Sequence, residues 1–172
     1  EGSSIRIPQV STHLGAGFGD EIADIDRKYA ADREPVAHFL TYGMAADIWD
    51  KWFKIDDPNT EAADPALDQK LQRALKALNA KAILTKAIEY ERIYGLGLLV
   101  GSFDDVDTVS GLRGELEEGS ELRQIEAYPK TKVQVESKVK DEDNPRWNEP
   151  LIYKLDRGDG KSLYVHWTRC HR

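Results

Sequence analysis

Apolar positions along this chain change their spacing once, close to Gly95. Ahead of that residue they recur at helical intervals. Pro35 suits a first helical turn, where its missing N–H has no intrahelical partner to lose. Behind it Val36, Phe39, Leu40, Ile48, Trp49 and Trp52 fall on one apolar stripe. The segment IDDPNTEAADP interrupts the stripe with two prolines and a cluster of turn formers. Asp64 and Pro65 then read as an N-cap and first position of a new helix. Its face is Leu67, Leu71, Leu75 and Leu78, and Asn79 is expected to interrupt it. Ile83, Ala87, Tyr90 and Tyr94 mark a further helix closed by Gly95.

Beyond Gly95 the period shortens. LGLLVGSF, residues 96–103, is apolar and punctuated by glycine, the pattern of a buried strand. LRQIEAYPKTKVQVES continues with strand-favouring residues divided at Pro129. LIYKLDRGDGKSLYVHWTR, residues 151–169, alternates on both sides of Gly158, Asp159 and Gly160 and reads as a hairpin. The fold class expected is α+β: N-terminal helices packed on a C-terminal antiparallel β-layer with a terminal hairpin. Residues 1–34 lack either period, and THLGAGFGD holds three glycines, so this stretch is expected to be a flexible arm before an α+β domain over 35–172. No internal repeat is present.

Composition narrows the function. At 172 residues the chain can bury a genuine core. A formal charge of −7 argues against a basic surface that grips nucleic acid by releasing counterions. Positive and negative residues are interspersed, as in RKYAADRE and KVKDEDNPR. Cys170, the single cysteine, allows no intrachain disulfide and no multi-cysteine zinc site, and fits a reducing compartment. No apolar run approaches the ~20 residues of a membrane span, and EGSSIRIPQVS has neither the basic nor the apolar region of a signal peptide. An intracellular origin is expected.

Candidate chemistry is sparse. ERIYGLGLLVG runs from helix into strand, the reverse of a phosphate-binding loop, and no GK[ST] follows. His166 and Thr168 sit two apart on a strand and so share a face, as a phosphoesterase half-site would require. The other histidines, His13, His38 and His171, supply no second H-x-[ST] copy. Asp104, Asp105 and Asp107 lack the further ligands of a calcium loop and read as solvated turn residues. Arg157–Asp159 spells RGD within a glycine turn, where turn chemistry accounts for it. Trp49 and Trp52 suit core or subunit contact better than base stacking. No cofactor or metal is expected.

The order of several segments from Tyr42 onward resembles the portal proteins of tailed bacteriophages and proviruses. The likeness is to the branch sharing its N-terminal region with anti-CBASS nuclease-like proteins. YGMAADIWDKWFKIDDP, then ALKALNAKAILTKAIEYERIYGLGLLVGSFDD, LRQIEAYPKTKVQV, NPRWNEPLIYKL and YVHWTR carry it, over residues 36–169. His166, Thr168 and Arg169 match the family's His-x-Ser-Arg strand with Thr for Ser. WTRCHR stops where family members continue into long helices and a clip region, so the chain is expected to be an excised domain or a shortened relative.

The resemblance implies a non-catalytic subunit of a ring, commonly dodecameric, at a capsid vertex of the virion, made in the host cytoplasm. Its implied partners are its own copies, the terminase large subunit, capsid or scaffold proteins and the head–tail connector, with transient non-specific passage of double-stranded DNA and no membrane. An acidic wall suits such passage. Trp49, Trp52, Tyr153 and Trp167 are the expected contacts between neighbouring subunits. The readings from other classes are a phosphodiesterase using His166 and Thr168, and a non-catalytic α+β adaptor domain.

Overall fold

A computed structural model describes residues 23–48, 65–158 and 160–172. Among the described residues five α-helices precede six strands: α1 (Asp24–Arg33), α2 (Pro35–His38), α3 (Met44–Ile48), α4 (Pro65–Ala77), α5 (Ala80–Tyr94), β1 (Gly97–Phe103), β2 (Leu122–Pro129), β3 (Val133–Lys138), β4 (Pro150–Asp156), β5 (Ser162–His166) and β6 (Cys170–His171). The strands form two antiparallel three-stranded sheets, ordered β2-β1-β6 and β3-β4-β5. The α+β reading holds, and the β-layer is two sheets deep.

Alternation along β1 sets the layering. Leu98 and Val100 point one way into the main core, joined by Tyr128 of β2, Tyr153 and Leu155 of β4, and Leu163 and Val165 of β5. Gly97 points the other way, toward α5, and α5 packs along β1 and β2. A Cβ built on Gly97 would lie 2.0 Å from the Ala87 carbonyl oxygen. Helix and strand therefore meet backbone to backbone, and only glycine fits there. Gly95 ends α5 in the left-handed region at φ 76°, with its N–H donating to the Glu91 carbonyl. These glycines are the joint between the helical layer and the sheets.

Pro129 does more than divide a strand. β2 ends on it, a tight turn follows over Lys130–Lys132, and β3 starts at Val133 in the other sheet. The chain thus changes layer at the proline. The hairpin lies where alternation puts it: Tyr153 faces Val165 and Leu155 faces Leu163 across β4 and β5. Gly158 and Gly160 adopt φ 82° and 76° in its turn, and Asp156 accepts the Gly158 N–H at 2.8 Å. Asp159, the middle of the expected turn, lies outside the described residues.

The helical layer departs further from the expectation. Asp24–Arg33, within the stretch read as an arm, is helical and packs on α5. Its sequence, DIDRKYAADR, has no continuous apolar face from which a helix could be read. Between α2 and α3 the backbone widens into a π-turn over Phe39–Gly43. The buried positions there are Thr41 and Ala45, not the expected stripe. Val36, Phe39, Leu40 and Ile48 remain exposed. Small residues, Ala31, Ala45, Ala80 and Ala87, are buried in α1, α3 and α5 and let their helices approach closely. Asp32 ties the first two segments together, accepting from Lys28 at 2.7 Å and from the Tyr42 hydroxyl at 2.7 Å. Leu71 and Leu75 of α4 and Leu78 just after it are half-buried as expected, the Leu67 side chain lying outside the described ones, and Asn79 breaks the face at φ 51°. Asp64, Trp49 and Trp52 lie outside the described residues.

Gly97→Ala is expected to lower the unfolding free energy by about 1–3 kcal/mol or more, since the added methyl overlaps backbone that cannot rotate away. Urea denaturation measures it; a midpoint equal to the parent's would contradict the close approach.

Candidate interaction site at the end of the hairpin

β5 delivers His166 to the edge of the second sheet, and a tight turn over Trp167–Arg169 carries the chain to β6. That turn directs four consecutive side chains to different tasks. Arg169 goes inward and its side chain is 0% exposed. A guanidinium out of water needs its donors answered, and four of its five are. Nη1 and Nη2 make a two-pronged pair with Asp105, the Nη1 arm at 2.8 Å. Nε donates to the Gly114 carbonyl at 3.1 Å and Nη2 to the Glu115 carbonyl at 3.2 Å. Asp105 also accepts the Glu117 N–H at 3.3 Å. Hydrogen bonding by Arg169 holds the Asp105 carboxyl below its ordinary value.

The aspartate triplet therefore divides. Asp105 is not a solvated turn residue; its side chain is 1% exposed and paired with a residue 64 positions away. Asp104 accepts the Glu121 N–H at 2.8 Å at the rim, and Asp107 is exposed. Spacing alone does not reveal the pair. The signal was the arginine ending the H-x-T-R triplet, whose charge required a carboxylate somewhere.

Thr168 performs the neighbouring attachment. Its Oγ1 accepts the Leu116 N–H at 3.0 Å and lies 2.9 Å from His166 Nδ1. Both bonds are satisfied when the threonine hydroxyl donates to a neutral imidazole while accepting from the amide. Burial, followed by the nearby Arg169 and Arg146 charges, lowers the His166 value against the opposing pull of Glu115. His166 and Thr168 are thus brought together, but on a loop of their own chain. Among the described residues no second imidazole stacks on or bonds to His166: His38 donates to the Ala31 carbonyl in the helical layer and His171 is exposed on β6. His13 lies outside the described residues.

Trp167 is half-buried against the intersheet core and lies beneath Arg146, whose guanidinium carbon is 3.2 Å from the ring centroid. Arg146 is itself held by Glu149 at 2.8 Å. Tyr153, expected at a subunit contact, is 7% exposed and belongs to the intersheet core. The alternation that was read correctly for β4 points its ring inward, so its packing is already complete. Burial pushes the Cys170 thiol up to about 12, which leaves it protonated and a poor nucleophile. Among the described residues no group of three or more His, Cys, Asp or Glu side chains gathers to hold a metal, and no helix is long and apolar enough to cross a membrane.

Arg169→Ala is expected to destabilise the fold by about 3–5 kcal/mol, because it leaves a buried carboxylate without its partner. Equilibrium denaturation checks this; a cost under about 1 kcal/mol would contradict the burial. Acid should act in two stages. The His166 contribution is complete above about pH 6.5 and is lost as pH falls toward its lowered native value, because the unfolded chain takes up the proton first. The Asp105 contribution persists above about pH 4 and is lost as pH falls through its lowered native value. His166→Gln should flatten the upper stage alone in urea midpoints collected across that range.

A search among curated proteins finds no match to the chain. A family described as phage portal protein matches residues 36–172. The match takes in both sheets, the glycine joint, the Arg169–Asp105 pair and all helices but α1. The chain therefore belongs to the phage portal protein family.

Proposed function

We propose that this chain is a structural domain of a ring-forming portal subunit, serving the passage of DNA at the capsid vertex during packaging and ejection, and that it performs no catalysis itself. The observation that carries the reading is the apolar surface of the helical layer. Ile25 and Val36 are 77% and 72% exposed, and Tyr29, Phe39, Leu40 and Ile48 are also exposed. Exposed apolar residues gathered in one layer mark a protein contact. A neighbouring copy in a ring supplies such a contact by head-to-tail packing, which closes by rotation. Trp49 and Trp52 follow directly on α3 in sequence and extend the same contact in this reading; Trp167 and the exposed Trp147 belong to the β-layer side.

The acidic balance supports a DNA conduit over a DNA-gripping surface. The His166–Thr168–Arg169 triplet supports the non-catalytic part, since Thr168 and Arg169 hold the 105–117 loop and His166 Nδ1 is bonded to Thr168. Terminase, scaffold and connector proteins are the partners this role brings.

Ile25→Asp with Val36→Asp should leave urea stability within about 0.5 kcal/mol, as both side chains are exposed. The same change should prevent closed rings when the reading frame containing this chain is purified and imaged by electron microscopy. Uniform monomers from the unaltered reading frame, or rings unaffected by the two aspartates, would contradict the proposal.

A further inference from the structure

The charges of this acidic protein are sorted toward two ends of its sheets. At one end a groove of about 440 Å³ opens between α5, the end of β2 and the hairpin turn. Its rim carries Lys86, Lys132 and Arg157, all exposed. None of the three has an ion-pair partner among the described residues; Lys86 rests on the Tyr90 ring, 5.6 Å from its centroid. Among the described residues the two carboxylates in the groove are already engaged. Glu126 accepts from Gln124 at 2.7 Å and from the Tyr128 hydroxyl at 2.5 Å, and Asp156 accepts the Gly158 N–H.

At the other end the loop over residues 114–121 exposes Glu115, Glu117, Glu118 and Glu121, with no ion pair among the described residues. Its backbone is held at three successive residues: the Glu115 carbonyl by Arg169, the Leu116 N–H by Thr168 and the Glu117 N–H by Asp105. Those fixings cut the ordering cost of binding. β2 begins beside this loop, and Lys132 on the groove's rim lies beyond its far end, so the strand's eight residues separate the loop from that lysine by roughly 25 Å at the rise of a strand. A loop so tethered does not reach the basic rim of its own groove.

We infer that the groove receives the 114–121 loop of a neighbouring copy of this chain, so that each subunit presents an acidic prong to one neighbour and a basic socket to the other. This rests on the ring-forming reading and names the contact that sets its register. Single exposed pairs contribute little, but facing clusters of opposite sign steer encounter and fix orientation. Because socket and prong are different surfaces, the contact is heterologous and propagates around a ring.

Charge reversal tests it. Lys132→Glu with Arg157→Glu inverts the socket, and Glu117→Lys with Glu118→Lys inverts the prong. Association of the full reading frame is followed by sedimentation at low and high salt, with circular dichroism confirming that each variant folds. The unaltered protein should associate and weaken at least about tenfold at high salt. Each reversed variant should fail to associate alone, and an equimolar mixture of the two should recover. Rings that persist in both variants would overturn the socket while leaving the portal reading intact. Failure of the unaltered reading frame to assemble at any salt would remove both. Normal association of the socket variant with loss of binding to a double-stranded DNA probe would assign the groove to nucleic acid and overturn the inference.

Discussion

The buried pairing of Arg169 with Asp105 is the constraint around which the β-layer is organised. A guanidinium removed from water is tolerated only when its donors meet acceptors in fixed positions. Here those acceptors come from Asp105 just after β1 and from the carbonyls of Gly114 and Glu115. Arg169 follows β5, in the opposite sheet. One side chain therefore ties the end of the hairpin to the loop that leaves the first sheet. Thr168 repeats the tie one residue earlier through the Leu116 amide. A long surface loop that would otherwise be mobile becomes a shaped projection.

The opposite end of the same sheets is organised by backbone proximity. Gly97 permits α5 to lie directly on β1, and Pro129 carries the chain from one sheet to the other. Between the two ends runs the apolar core of Leu98, Val100, Tyr128, Tyr153, Leu155, Leu163 and Val165. Such a slab is stiff because side chains from both sheets interdigitate and none can move alone. In the proposed ring, such a slab would carry position from one neighbour to the next.

The helical layer follows another logic. Four alanines and Ile93 are buried in its helices, while Ile25, Val36, Phe39, Leu40 and Ile48 face outward. In a soluble monomer that arrangement wastes the hydrophobic effect, while in an assembly it directs that effect to the subunit boundary. Membership of the portal family and this outward-facing surface point the same way, toward a protein completed by its neighbours.

The sequence by itself determined the class of fold, the helix-to-strand change at Gly95, the break at Asn79, the hairpin about Gly158 and Gly160, and the family. All but the family are local: periodicity, capping and turn chemistry act over a few residues, whereas the family rests on the order of segments across residues 36–169. The H-x-T-R triplet was legible as a family feature, but its purpose was not. Only the tertiary structure decided that Asp105 is the partner of Arg169, that Tyr153 is core and that Val36 and Leu40 face outward. The first two depend on chain segments far apart in sequence meeting in space, and the third on a π-turn that alters the helical register by widening a single turn. Helix α1 belongs with them, since its burial comes from small residues against α5 and leaves no apolar stripe to read.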